Sequence, residues 1–141
     1  SCLMRSALLS CGALVLAGIL IFFALSHPPY SLAHIERVDT PAAREQGLSG
    51  RTEIPEDYGM LFVFPDKGDY GFWMKDMQYS IDIVWIDAAW QVVGVTPGLA
   101  PETYPTIFYP PKAVLYVLEV PEGSTGVDKL TVGTQLTWTA R

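Results

Sequence analysis

The sequence predicts a mainly β domain, a jelly-roll-like sandwich or barrel with minor short helices, preceded by one N-terminal transmembrane or signal helix. Apolar runs of strand length recur between Gly, Pro and Asp residues, at 60–65, 71–77, 81–87 and 114–120. Only two weak helical signals interrupt them, and many short strands with few helices favour an antiparallel sandwich or barrel. The third observation is an uncharged stretch at 7–25, rich in Leu, Val, Ile, Ala and Phe. At ~1.5 Å per residue, such a helix approaches the ~30 Å hydrocarbon core of a bilayer.

Taken in order, residues 1–26 are the export segment. Arg5 precedes the apolar run and no further Lys or Arg appears before Arg37, which places the N-terminus inside and the domain outside. Three readings compete. An uncleaved anchor suits the run length, because signal-peptide apolar regions span only ~7–15 residues. A cleaved signal peptide suits the small residues around Ala24-Leu25-Ser26. A lipoprotein would use Leu8-Leu9-Ser10-Cys11, but too little apolar sequence precedes Cys11 and too much follows it. All three export the domain, either anchored on the periplasmic or cell-surface side or secreted. Residues 27–32, with Pro28-Pro29, form a short stiff linker, and residues 33–141 are the β domain.

Within the domain, residues 34–38 are a first strand. Thr40 is an N-cap with Pro41 at the first helical position, and Gly47 can end the short helix. Leu48-Ser49-Gly50-Arg51 is a tight turn that presents an Arg. The turn Asp57-Tyr58-Gly59 leads into the run at 60–65. Strands follow at 71–77 and 81–87, and residues 91–96 return as the second arm of a hairpin. Residues 98–112 are a long loop with four prolines, and 113–120 give the longest pure strand signal. A helical turn is expected within 121–130, and a last strand ends near Trp138.

Composition limits the chemistry. Both cysteines, Cys2 and Cys11, lie in the export segment, so the domain has neither a disulfide framework nor a thiol nucleophile. His27 and His34 are the only histidines, and a zinc site of the usual Cys/His kind cannot be assembled. No cofactor is implied. All 15 acids follow the export segment, against eight of the nine Lys and Arg residues, which leaves the domain near −7. That balance disfavours nucleic acid or an anionic membrane surface as the main partner. The membrane itself is reached only through the N-terminal helix.

Strand alternation singles out a few residues. Asp82 shares a face with Val84 and Ile86, and Glu119 shares one with Leu115 and Val117. A buried carboxylate without a partner is costly or neutralises itself, so each acid needs one. Arg51 and Lys75 are the cationic candidates, and Trp73 shares a face with Lys75. Arg51, Trp73, Lys75, Asp82 and Glu119 could together bind a polar ligand, such as a carbohydrate, or a protein partner. Alternatively, Asp82 and Glu119 could be the acid and base of a hydrolase. The same residues could instead be ion pairs that fix strand register. Phe62, Phe64, Phe72 and Trp85 read as core. Trp90, at a hairpin tip without Gly or Asn, either folds back on the sheet or stands out as an anchor. Residues 104–109 read as an ordered loop over a sheet edge, or else as a binding rim.

Five ordered blocks carry a resemblance. They are Gly47-Leu48-Ser49-Gly50-Arg51, Gly59-Met60-Leu61-Phe62-Val63-Phe64, Phe72-Trp73-Met74-Lys75, Ile81-Asp82-Ile83 and Leu118-Glu119-Val120. In this order and spacing, the chain resembles the domain-of-unknown-function 192 (DUF192) family over residues 33–139. The resemblance implies a compact jelly-roll β-sandwich, often exported, and no established activity. Relatives usually carry Asn-Thr where this chain has Asp76-Met77, and Gly in the hairpin that here has Ala89-Trp90. A Cys that relatives often place before the last long strand is missing.

Overall fold

In the computed structural model, the described residues are 32, 34–124, 127 and 130–137. Five strands form one mixed sheet, namely β1 (His34–Val38), β2 (Tyr58–Gly68), β3 (Ile81–Ile86), β4 (Val92–Leu99) and β5 (Val114–Pro121). Their order across the sheet is β1-β2-β5-β3-β4. β1 runs parallel to β2 and all other neighbours are antiparallel. The mainly β expectation therefore stands, but the described strands make one sheet instead of the two facing sheets of a jelly-roll. Irregular segments and one short helix cover the faces where a second sheet was expected.

The centre of the sheet explains the longest apolar runs. β5 lies between β2 and β3, and all six residues of β3 are buried. Strands covered on both faces lose the apolar–polar alternation of a half-exposed strand. One face packs Met60, Phe62, Ile83, Trp85 and Val117 against Leu48, Tyr58 and Met74. The other packs Leu61, Val84, Ile86, Leu118 and Val120 against Val127 and Leu130. Phe62 and Trp85 are essentially fully buried, and truncating such a ring typically costs ~3–5 kcal/mol.

The short helix α1 (Pro41–Gln46) has the predicted boundaries. The Thr40 side chain accepts a hydrogen bond from the Ala43 N–H at 3.2 Å, and Pro41 opens the helix. Gly47 closes it with a φ of 49°, a conformation that disfavours a side chain. Pro65 falls where the register between β2 and β5 breaks, so no ladder bond is lost to its missing N–H.

Residues 71–77 do not form the expected strand. Only Phe72 pairs, through a single bridge to Phe108, and Asp76 turns the chain with a φ of 56°. The run is apolar because Phe72 sets its ring edge against Phe62 and Trp85 and Met74 is buried, not because it joins a ladder. At the far end, the expected last strand reduces, among the described residues, to a bridge between Gln91 and Gln135. Trp138 lies outside the described residues. Successive turn bonds from Ser124 to Pro121, Val127 to Ser124 and Leu130 to Val127 supply the expected helical turn. The export segment at 1–26 also lies outside, and no helix among the described residues is long and apolar enough to cross a membrane.

Candidate functional site

A cleft of about 260 Å³ opens between α1 and the 70–77 loop. Gly47, Leu48 and Ser49 form its helix side, and Phe62, Phe64, Phe72 and Trp73 supply aromatic walls. Glu119 lies at its base. The β5 strand places it there, because Glu119 sits opposite Met60 on one side and Ile83 on the other, on the face that α1 and the 70–77 loop cover.

Glu119 is only 6% exposed, yet among the described residues no hydrogen bond or ion pair reaches its carboxyl. Burial alone pushes that carboxyl up to about 8. The side chain is therefore largely neutral at pH 7, within an aromatic pocket. Nearby, the Tyr79 hydroxyl is buried without a hydrogen-bond partner. Burial raises its pKa most, the Arg51 charge opposes that rise and the Glu119 charge adds to it, so both groups lie within electrostatic reach of Tyr79.

The other predicted site residues go elsewhere. Asp82 pairs with Val120 in the ladder and so projects from the opposite face to Glu119. Its two oxygens accept from the Gly98 N–H at 2.7 Å and the Gly123 N–H at 3.1 Å. The Asp82–Glu119 acid/base pair of the hydrolase alternative is thus not assembled, since the sheet separates the two carboxyls. Asp82 ties two turns to the end of the sheet.

Arg51 reaches neither acid. It bonds Glu36 at 2.9 Å and the Tyr58 hydroxyl at 2.9 Å, while that hydroxyl donates a short hydrogen bond to Glu36. The bond from Tyr58 does most to hold the Glu36 carboxyl below the usual carboxylate range, with Arg51 assisting. The role of Glu36 was not foreseen, because a charge on an exposed edge strand gives no sequence signal. Lys75 lies over the Trp73 ring at 5.6 Å, and Trp73 stays half-exposed with its ring against Tyr104. Of the five candidates, the cleft unites Trp73 and Glu119. Lys75 touches it only through Trp73, and Arg51 and Asp82 make their hydrogen bonds away from it.

The remaining aromatic expectations are settled by contacts. Phe62 and Trp85 are core, and Phe64 and Phe72 are partly buried against it. Trp90 folds back and stacks on Tyr116 with ring centroids 3.9 Å apart. The loop at 104–111 covers the rim of the cleft face through Phe108, and Pro111 lies against Gly94 of the edge strand β4. Among the described residues, no cluster of three or more His, Cys, Asp or Glu side chains could hold a metal ion.

Two solved structures share this fold. One is a protein of Sinorhizobium meliloti 1021 described as a "putative transcription regulator", 28% identical, with a TM-score of 0.65 over 70% of this chain and 76% of that one. The other is a protein of unknown function from Novosphingobium aromaticivorans DSM 12444, 25% identical, with a TM-score of 0.68 over 74% of each chain. No curated protein matches the chain. The family model DUF192, described as "Uncharacterized ACR", matches residues 27–138, and its span takes in the whole described sheet. With the five sequence blocks now placed on that sheet, its helix and its cleft wall, the chain belongs to the DUF192 family.

Proposed function

We propose that this protein is a membrane-tethered, extracytoplasmic binding module whose cleft takes a small polar ligand without catalysis. The observation that carries this reading is Glu119, 6% exposed at the base of a cleft walled by aromatic rings, with no hydrogen bond or ion pair to its carboxyl among the described residues. A fold gains nothing from such a group, since burying an unpaired polar side chain opposes folding. Residues placed for a ligand are often not optimal for stability, which gives the arrangement a reason. Tethering rests on the uncharged stretch at 7–25. A nucleic-acid role, which the regulator description of the Sinorhizobium protein would suggest, fits poorly with a net charge of −6.

The test is a thermal-shift screen of the full chain against sugars, amines, amino acids and nucleosides. A ligand present at a hundredfold excess over its Kd stabilises by ~2.7 kcal/mol, which is several degrees for a domain of this size. The expected hit loses its shift in both Trp73→Ala and Glu119→Gln. Hits indifferent to both variants, or none at all, would sink the assignment of this cleft.

A further inference from the structure

We infer that the ligand is a small organic cation, with an ammonium group held against the Glu119 carboxylate and the aromatic rings above it. This narrows the binding reading and rests on it. Three observations converge on that chemistry.

The first is that no charged side chain among the described residues pairs with Glu119. Arg44, on the cleft wall, donates to the backbone carbonyls of Asp39 at 2.6 Å and Val63 at 2.9 Å. Arg51 is committed to Glu36 and Tyr58, and Lys75 to Trp73. A carboxylate buried among rings is stabilised by a cation, and none of the described cationic side chains is placed to supply it.

The second is the wall itself. Phe62, Phe64, Tyr70, Phe72 and Trp73 surround the cleft, and ring faces attract cations through their quadrupoles. Two of these rings already do so with the protein's own side chains. The Arg44 guanidinium lies 5.1 Å from the Phe64 centroid, and the Lys75 ammonium 5.6 Å from that of Trp73. The third is what the cleft disfavours. An anion would meet the carboxyl. A sugar needs several buried donors and acceptors, whereas Glu119 is the one buried polar side chain among the described residues of this wall.

Binding would exchange one proton for the ligand. The Glu119 carboxylic acid releases its proton to solvent, and the carboxylate that remains pairs with the ammonium. The other titratable or charged groups around it are Arg44 and Glu45 from α1, Tyr70 from the cleft wall and Tyr79. Arg44 and Glu45 offset one another in charge.

The experiment uses choline and its neutral isostere 3,3-dimethylbutan-1-ol as probes, titrated calorimetrically into the full chain in dodecyl maltoside. Choline carries a fixed charge, so any pH dependence belongs to the protein. Choline should bind at least about tenfold more tightly than the alcohol at pH 8, as desolvated cation–aromatic and ion pairing together imply. Its affinity should rise roughly tenfold from pH 6 to 7 and level off near 8, with one proton released per choline below that point. Glu119→Gln should abolish the preference for choline over the alcohol. Equal binding of both probes, a choline affinity that is flat with pH, or no choline binding would each overturn the cation. A neutral hit from the screen that still needs Trp73 would then leave the binding module standing, and the lack of any such hit would remove both.

Discussion

At Asp82 two backbone N–H groups converge on one carboxylate, and at Glu119, one position along the neighbouring strand, none among the described residues does. The two acids should therefore respond to substitution in opposite ways. Asp82→Asn leaves one N–H facing an amide instead of an oxygen. Losing a buried hydrogen bond of this kind costs ~1–3 kcal/mol, so the variant should melt several degrees lower at pH 7. Glu119 behaves otherwise because its pKa rises from 4.5 unfolded to about 8 folded. Between those values the folded state binds more protons than the unfolded one, so stability falls as pH rises. The slope is on the order of 1 kcal/mol per pH unit within that window, so the stability from the neutral acid is present in full below about pH 4.5 and spent above about pH 8. Melts of wild type and Glu119→Gln at pH 5 and pH 8 would show it. The wild type should lose stability between the two, and Glu119→Gln should lose much less and exceed wild type at pH 8. Equal slopes would mean that Glu119 is solvated or paired after all.

Among the elements, the turn between β3 and β4 departs most from the pattern expected of it. Asp87 shapes it, since one carboxylate oxygen accepts from the Ala89 N–H at 2.9 Å and the Gln91 N–H at 3.0 Å. Trp90 then takes a φ of 61°, in a hairpin that by the family resemblance usually contains Gly. A left-handed residue with a Cβ costs ~1–2 kcal/mol, while a stacked aromatic pair returns ~0.5–1.5 kcal/mol beyond its burial. Stacking on Tyr116 thus compensates for the backbone. Trp90→Gly removes the cost and the stack together, whereas Trp90→Ala removes only the stack. Urea unfolding should rank wild type above Gly, and Gly above Ala by about 1 kcal/mol. An Ala variant as stable as Gly would show that the turn does not hold this conformation in solution. Legibility follows the same division. The cap at Thr40, the start at Pro41 and the central strands β3 and β5 were readable because local chemistry decides them. The cleft was not, because alternation assigns faces within a strand and says nothing of register between strands. Ile83 faces Glu119, and a slip of one residue would have put Asp82 there instead.

For the molecule as a whole, the same limit explains why a sandwich was expected. Apolar runs show that both faces of a sheet are covered, but not whether a second sheet or loops cover them. Here α1 and the 70–77 loop do so on one face, and that irregular cover leaves a cleft where interdigitating strands would have closed it. A binding module of this size acts where it is held, so the tether proposed from residues 7–25 matters to function as much as the cleft does. Leu14 and Leu20 lie near the middle of that stretch. A charge at the centre of a spanning helix costs ~2.5–3.5 kcal/mol on the insertion scale, so Leu14→Lys with Leu20→Lys should abolish membrane retention. Fractionation of cells expressing the two forms decides between the readings of this segment. Wild type should sediment with membranes and resist salt extraction, because hydrophobic insertion is not screened as surface charge is. A wild-type protein recovered from the soluble exported fraction and beginning at His27 would replace the anchor with a cleaved signal peptide. The cleft would then serve a freely diffusing module, not one held at the membrane surface.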